Sequence, residues 1–117
     1  MSGRRSARVG EAVREVIAEM LLRDIKDPRI GMITLTTVEV SEDLRHAKVY
    51  FSCLGDESAR QRSLSGLRSA AGFIKAQVTR QLKLRYAPEL TFIFDSSLEI
   101  ADRVSSLLKR TSLEDER

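Results

Sequence analysis

The sequence has few of the residues on which disulfides, metal sites or membrane spans depend. Cys53 is its one cysteine, so no disulfide can form within the chain. His46 is its one histidine, and together with Cys53 it cannot supply a zinc site of ordinary Cys/His composition. No apolar run approaches the roughly 20 residues of a membrane span, and no apolar signal segment follows Met1. We therefore expect a cytoplasmic protein with no metal, cofactor or small-molecule substrate.

Acidic residues are missing from one long stretch, residues 58–88. The stretch contains seven basic residues: Arg60, Arg62, Arg68, Lys75, Arg80, Lys83 and Arg85. Because the whole chain carries +3 and this stretch carries +7, the remainder is net negative at −4. The sequence pI is about 9.3. Positive charge that is clustered in this way favours an anionic partner.

The same stretch has a helical pattern that is interrupted once. Its apolar residues recur at spacings of three and four: Leu64, Leu67, Ala71, Ile74, Val78 and Leu82. Phe73 falls on the opposite side, directly after Gly72, and an interior glycine costs a helix about 1 kcal/mol relative to alanine. Two helices joined by a kink at Ala70, Ala71 and Gly72 would turn Phe73 inward, and Gly72→Val should then disturb the kink. The alternative is one helix with a tolerated glycine and a half-exposed Phe73.

One amphipathic helix and two strands are predicted before this stretch. The first helix follows from apolar residues that match the i, i+3, i+4, i+7 template from Val9 to Leu21. A loop over residues 26–31 then turns the chain. Strands are predicted over residues 33–40 and 46–54, and their short connection predicts an antiparallel hairpin. The apolar phase slips by one residue in the first strand, which indicates a β-bulge near Thr36 and Thr37.

A third strand and a short last helix are predicted after Pro88. The strand covers residues 90–95, and Ser96 begins a capping box that starts the helix. This helix carries Ile100, Val104, Leu107 and Leu108 on one side. We expect an α+β fold in which a three-stranded sheet has its helices packed on one face.

Two terminal segments are expected to lie outside the domain, which should span residues 8–110. The first is a flexible basic segment, residues 1–7, and the second is a disordered acidic tail, residues 111–117. Arg4, Arg5 and Arg8 oppose the dipole of the helix that follows them. They form either a solvated tail or an arm that contacts phosphates.

No pattern of catalytic residues occurs in the sequence. Gly66 and Gly72 lack the Lys-Ser/Thr pair of a phosphate-binding loop. His46 begins a predicted strand and is interpreted as a turn residue, whereas Cys53 is interpreted as a small buried apolar residue. An enzyme is therefore not predicted.

The predicted order of elements resembles that of type II KH domains. A usual KH domain clamps single-stranded nucleic acid with a Gly-x-x-Gly loop, which this chain lacks. Ala70-Ala71-Gly72 stands in its place and resembles the Ala-x-Gly kink of the bacterial ribosome-binding factor A family. Further motifs similar to that family are RDIKDPRIG at residues 23–31, AKVY at residues 47–50 and LRYAPELTF at residues 84–92. The resemblance covers residues 8–108.

This resemblance implies a non-catalytic assembly factor. Such a protein binds the free small (30S) ribosomal subunit and its 16S rRNA, aids late maturation including processing of the rRNA 5′ end, and is needed in the cold. It leaves before the subunits join. We expect a monomer whose kink residues hold the two helices at the angle that presents the basic face.

The candidate RNA-binding residues are basic residues that lie off the apolar arc. They are Arg68, Lys75, Arg80, Lys83 and Arg85, then Arg62, and at the N-terminus Arg4, Arg5 and Arg8. Contacts to phosphates position a protein without reading sequence, so specificity would come from the shape of a folded RNA. The alternative function is a protein-docking domain of the same fold whose basic face meets an acidic protein.

Overall fold

The computed structural model describes residues 3–96. The elements in this range are α1 (Gly3–Arg23), β1 (Ile33–Val40), β2 (His46–Cys53), α2 (Glu57–Gln81) and β3 (Glu89–Phe94). The predicted C-terminal helix beyond Ser96 and the predicted acidic tail, residues 111–117, lie outside the described residues.

Helix α1 begins well before its apolar pattern does. Its buried side is formed by Val13, Ile17 and Met20, which follow each other at spacings of four and three, as predicted. The helix starts at Gly3, so Arg4 and Arg5 lie in its first turn.

The three strands form one mixed sheet in the order β1-β2-β3. Strands β1 and β2 pair antiparallel, which confirms the predicted hairpin, and β2 and β3 pair parallel across the α2 crossover. The register shifts between Leu35 and Thr37, so the predicted bulge is confirmed and Thr36 is its extra residue. Thr36 Oγ1 donates a hydrogen bond to Asp95 Oδ2 at 2.8 Å, which ties the bulge to the end of β3.

Both helices lie on the same face of the sheet, which confirms the α+β architecture. Val13 of α1, Ile74 of α2 and Phe51 of β2 are fully buried in one apolar cluster. The opposite face carries exposed polar residues: Thr34, Thr37, Glu39, Lys48 and Thr91. Strand alternation places these side chains away from the core.

A buried glycine allows α1 to lie close to β1. A Cβ atom on Gly10 would lie 2.5 Å from the backbone carbonyl oxygen of Val38. Because this oxygen belongs to the backbone of β1, it cannot move aside as a flexible side chain would. Gly10 therefore sets the distance between the helix and the sheet.

Helix α2 is one helix from Glu57 to Gln81, and the predicted division into two helices at Ala70, Ala71 and Gly72 is wrong. Ile74 is buried as expected, whereas Phe73 is 49% exposed and not turned inward. Alanine favours helix strongly, and Leu67, Ile74 and Val78 already share one side, so no break is needed to bury them. A Cβ atom on Gly72 would have nothing within 4 Å, so the expected disturbance by Gly72→Val has no steric cause.

The loop between α1 and β1 does more than turn the chain. Gly31 donates its backbone N–H to Oγ of the buried Ser63 on α2, at 3.3 Å. Gly66 leaves room for Ile30, because a Cβ atom there would lie 2.5 Å from Ile30 Cγ1. Residues 29–31 therefore pack against α2.

Candidate nucleic-acid interface

The exposed side of α2 carries a stripe of residues that we call the outer stripe. Its members are Arg62, Ser65, Ser69, Phe73, Ala76 and Arg80, and all are exposed. At about 100° per residue they fall within about 80° of arc, on the side opposite the buried Ile74 and Leu67. The stripe contains two guanidinium groups and no carboxylate. The two guanidinium groups are about 27 Å apart along the helix axis, at 1.5 Å per residue.

Arg68 and Lys75 lie on a different side of α2, so the candidate residues do not form a single cationic face. They are seven residues apart. Each lies about 100° or more around the helix axis from the centre of the outer stripe. Arg68 is exposed, whereas Lys75 Nζ bonds to Glu89 Oε1 at 2.5 Å. This hydrogen bond, and then the charge of Lys75, hold the pKa of Glu89 below its usual value. The positive charge of Lys75 is thus partly compensated.

Lys83 follows α2 in a backbone conformation that favours glycine. Its φ is +52°, and Leu84 N–H closes the helix end on Thr79 O at 3.0 Å. A lysine in this left-handed position costs roughly 1 kcal/mol relative to glycine. The side chain is exposed, so its charge extends the basic region past the end of the helix.

Arg85 lies beside an aromatic ring just beyond α2. Its Cζ is 5.5 Å from the ring centre of Tyr86, and Arg45 Cζ lies 4.2 Å from the same centre. Cations at these distances are attracted to the π face of the ring. The sequence pattern did not indicate Arg45, because it comes from the hairpin turn and joins this cluster only in the fold.

Two groups of basic residues lie away from the outer stripe. Arg60 faces the sheet, with Cζ 4.4 Å from the ring centre of Phe94, so it belongs to the packing of α2 on β3. Arg4, Arg5 and Arg8 are exposed on the first turns of α1. They carry positive charge on a second helix, separate from the outer stripe.

The described residues form an apolar groove but no metal-binding cluster. Among residues 3–96, no group of three His, Cys, Asp or Glu side chains is placed to hold a metal ion. A groove of about 1110 Å³ at the end of α1 is mainly apolar, and the exposed Leu22, Met32 and Leu54 line it. None of the outer-stripe residues lines this groove. Neither helix within residues 3–96 is long and apolar enough to cross a membrane.

Comparison with known proteins places the chain in one family. The family model described as ribosome-binding factor A matches residues 5–108. Ribosome-binding factor A of Geobacter metallireducens is 44% identical over 112 residues, which cover 96% of this chain and 95% of that protein.

Solved structures agree with this match. The crystal structure of ribosome-binding factor A from Thermus thermophilus is similar with a TM-score of 0.66 at 25% identity, over 75% of this chain and 93% of that one. A homology model of the Thermus thermophilus protein, fitted into a cryo-EM map of its complex with the 30S subunit, has a TM-score of 0.58 at 25% identity, over 79% of this chain and 92% of that one. This chain therefore belongs to the ribosome-binding factor A family.

Proposed function

We propose that this protein binds the free small ribosomal subunit through 16S rRNA and that α2 supplies the main contact. The observation that carries the proposal is the exposed outer stripe, where Arg62 and Arg80 stand on a helix that has no acidic residue from Ser58 onward. Guanidinium groups bind phosphate oxygens through paired hydrogen bonds. Two such groups on one helix can bind phosphates at two points of an RNA backbone.

The related Thermus thermophilus protein, whose homology model was fitted into a cryo-EM map of its complex with the 30S subunit, supports this choice of partner. An acidic protein would also be attracted to the stripe. RNA is favoured because the charges of the stripe are all positive and because its only apolar members are Phe73 and Ala76. Contacts to phosphates need no matching apolar surface.

The proposed role is late maturation of the small subunit. We expect the protein to aid processing of the 16S rRNA 5′ end, to matter most in the cold, and to leave before the subunits join. It acts in the cytoplasm as a monomer and catalyses no reaction. In this role the protein stabilises one RNA arrangement by binding it.

Salt dependence of binding tests the proposal. We expect the full chain to bind free 30S subunits and protein-free 16S rRNA, with the logarithm of affinity falling linearly as the logarithm of salt rises. Sedimentation of the protein with subunits at increasing KCl concentrations measures this slope. Absence of binding to both, or binding that does not respond to salt, would contradict the proposal.

Glu89→Gln is expected to strengthen RNA binding. The substitution removes the carboxylate that engages Lys75. The freed ammonium group should raise affinity for 30S subunits by no more than about fivefold, because exposed ion pairs are weak. Titration of the variant and the parent in the same salt measures the change. Glu39→Gln, on the opposite face of the sheet, is the control that should leave affinity unchanged, and a weaker Glu89→Gln variant would count against a role for Lys75.

A further inference from the structure

Phe73 is a large aromatic residue that the packing of the core does not use. Its side chain is 49% exposed on the outer stripe, although the neighbouring Ile74 is completely buried. The other exposed aromatic residue among residues 3–96 is Tyr86, which already has Arg45 and Arg85 near its ring. Phe73 has no cation over its ring within the same part of the chain.

The side chains next to Phe73 on the helix surface are small or polar and leave its ring accessible. The residues three and four positions away on its side of the helix are Ser69, Ala70, Ala76 and Gln77, and none has a bulky apolar side chain. Gly72 is open as well, because a Cβ atom there would have no heavy atom within 4 Å. A flat ligand can therefore reach the ring without displacing neighbouring side chains.

Positive charge lies on both sides of this ring along the helix. Arg80 is seven residues away and Arg62 eleven, which corresponds to about 10 and 16 Å along the axis at 1.5 Å per residue. Both fall within about 20° of Phe73 around the helix. An RNA strand whose phosphates bind these arginines would therefore pass over the ring.

We propose that Phe73 stacks on an unpaired base of a single-stranded RNA segment that runs along the outer stripe. The inference rests on the proposed function and adds a ligand class to it, namely unpaired rather than duplex RNA. Bases within a duplex stack on each other and cannot offer a face to a protein ring, whereas splayed single-stranded bases stack on aromatic side chains. An acidic protein would engage the arginines but would supply no base.

The chain has no tryptophan, so Phe73→Trp introduces a single tryptophan, whose emission can be excited selectively and reports on the stacking position. We expect a short unpaired RNA to quench its emission, because a stacked base lies in direct contact with the indole. The same strand annealed to its complement should quench much less. Equal quenching by the two RNAs, or none by the single strand, would overturn the proposal.

Affinity measurements separate stacking from charge. Phe73→Ala should weaken binding of the single strand by about tenfold to a hundredfold, while the slope of log affinity against log salt stays unchanged. Arg80→Ala should instead reduce that slope by about 1. Phe73→Tyr should retain affinity, and Phe73→Leu should lose it because leucine is apolar without a π face. Leu22→Ala removes an apolar side chain that is 86% exposed elsewhere, and it serves as the control with no expected effect.

The outcomes distinguish this inference from the proposed function. If the parent protein binds neither 30S subunits nor RNA, the proposed function fails. If the parent binds and Phe73→Ala or Phe73→Leu binds equally well, only the stacking role fails. Circular dichroism of each variant should match the parent, since Phe73 lies outside the buried cluster.

Discussion

Reversing both arginines of the outer stripe is expected to abolish detectable association with free 30S subunits. The double variant Arg62→Glu with Arg80→Glu replaces two phosphate-binding groups by carboxylates that repel phosphate. Each charged hydrogen bond contributes about 1.5–3 kcal/mol, so affinity should fall by a factor of roughly 100 or more. Sedimentation with subunits at fixed salt, followed by a salt series, measures both the loss and the reduced slope.

The matched control changes the net charge by the same amount on other surfaces. Arg23 is exposed at the end of α1, and Lys48 is exposed on the sheet face that points away from both helices. Arg23→Glu with Lys48→Glu should lower affinity only slightly, through long-range attraction that salt screens. Equal losses in the two double variants would show that total charge, and not α2, determines binding.

Gly10→Ala is expected to destabilise the protein by a net of up to about 2 kcal/mol, because overpacking of this kind commonly costs 1–3 kcal/mol. The new methyl group would lie 2.5 Å from the carbonyl oxygen of Val38, so α1 must move away from β1. The gain in helix propensity from alanine offsets only about 1 kcal/mol. Urea unfolding followed by circular dichroism measures the change in the free energy of unfolding.

The same substitution at Gly72 is expected to have the opposite sign. No heavy atom lies within 4 Å of a Cβ atom there, so Gly72→Ala should stabilise α2 by about 1 kcal/mol. The two variants together test whether the space around each glycine or the helix propensity of alanine decides how the substitution changes the free energy of unfolding. A destabilised Gly72→Ala would show that the helix needs backbone freedom at this point, as the kink interpretation required.

The sheet was the part of the fold most accurately predictable from sequence. Alternating apolar residues indicated the three strands to within about one residue at each end, and a one-residue slip in β1 indicated the bulge at Thr36. These patterns are reliable because each strand buries one face, so a change of phase changes which residues enter the core.

The continuity of α2 was one of two interpretations that the periodicity left open, the other being a kink at Ala70, Ala71 and Gly72. The kink interpretation assumed that Phe73 must be buried. Large apolar side chains are often exposed on protein surfaces, so the exposure of Phe73 requires no break in the helix. The basic residues are therefore presented by the circumference of a single helix, not by the angle between two. Their separation into the outer stripe and the side that carries Lys75 follows from this geometry.

Other features depended on contacts between distant parts of the chain. Gly10 and Gly66 carry no local signal of their roles, because each is required by an atom of another segment, Val38 O and Ile30 Cγ1. Arg45 likewise joins Tyr86 from the hairpin turn. Periodicity describes one element at a time and does not reveal such approaches.

Photocrosslinking tests most directly the claim that the exposed side of α2 faces RNA. A photoreactive amino acid at Ala76, on the outer stripe, should crosslink to 16S rRNA when the full chain is bound to free 30S subunits. The same amino acid at Thr91, on the opposite face of the sheet, should give no rRNA crosslink. Crosslinks to rRNA from position 91 together with none from position 76, or crosslinks from position 76 to ribosomal proteins alone, would contradict the account.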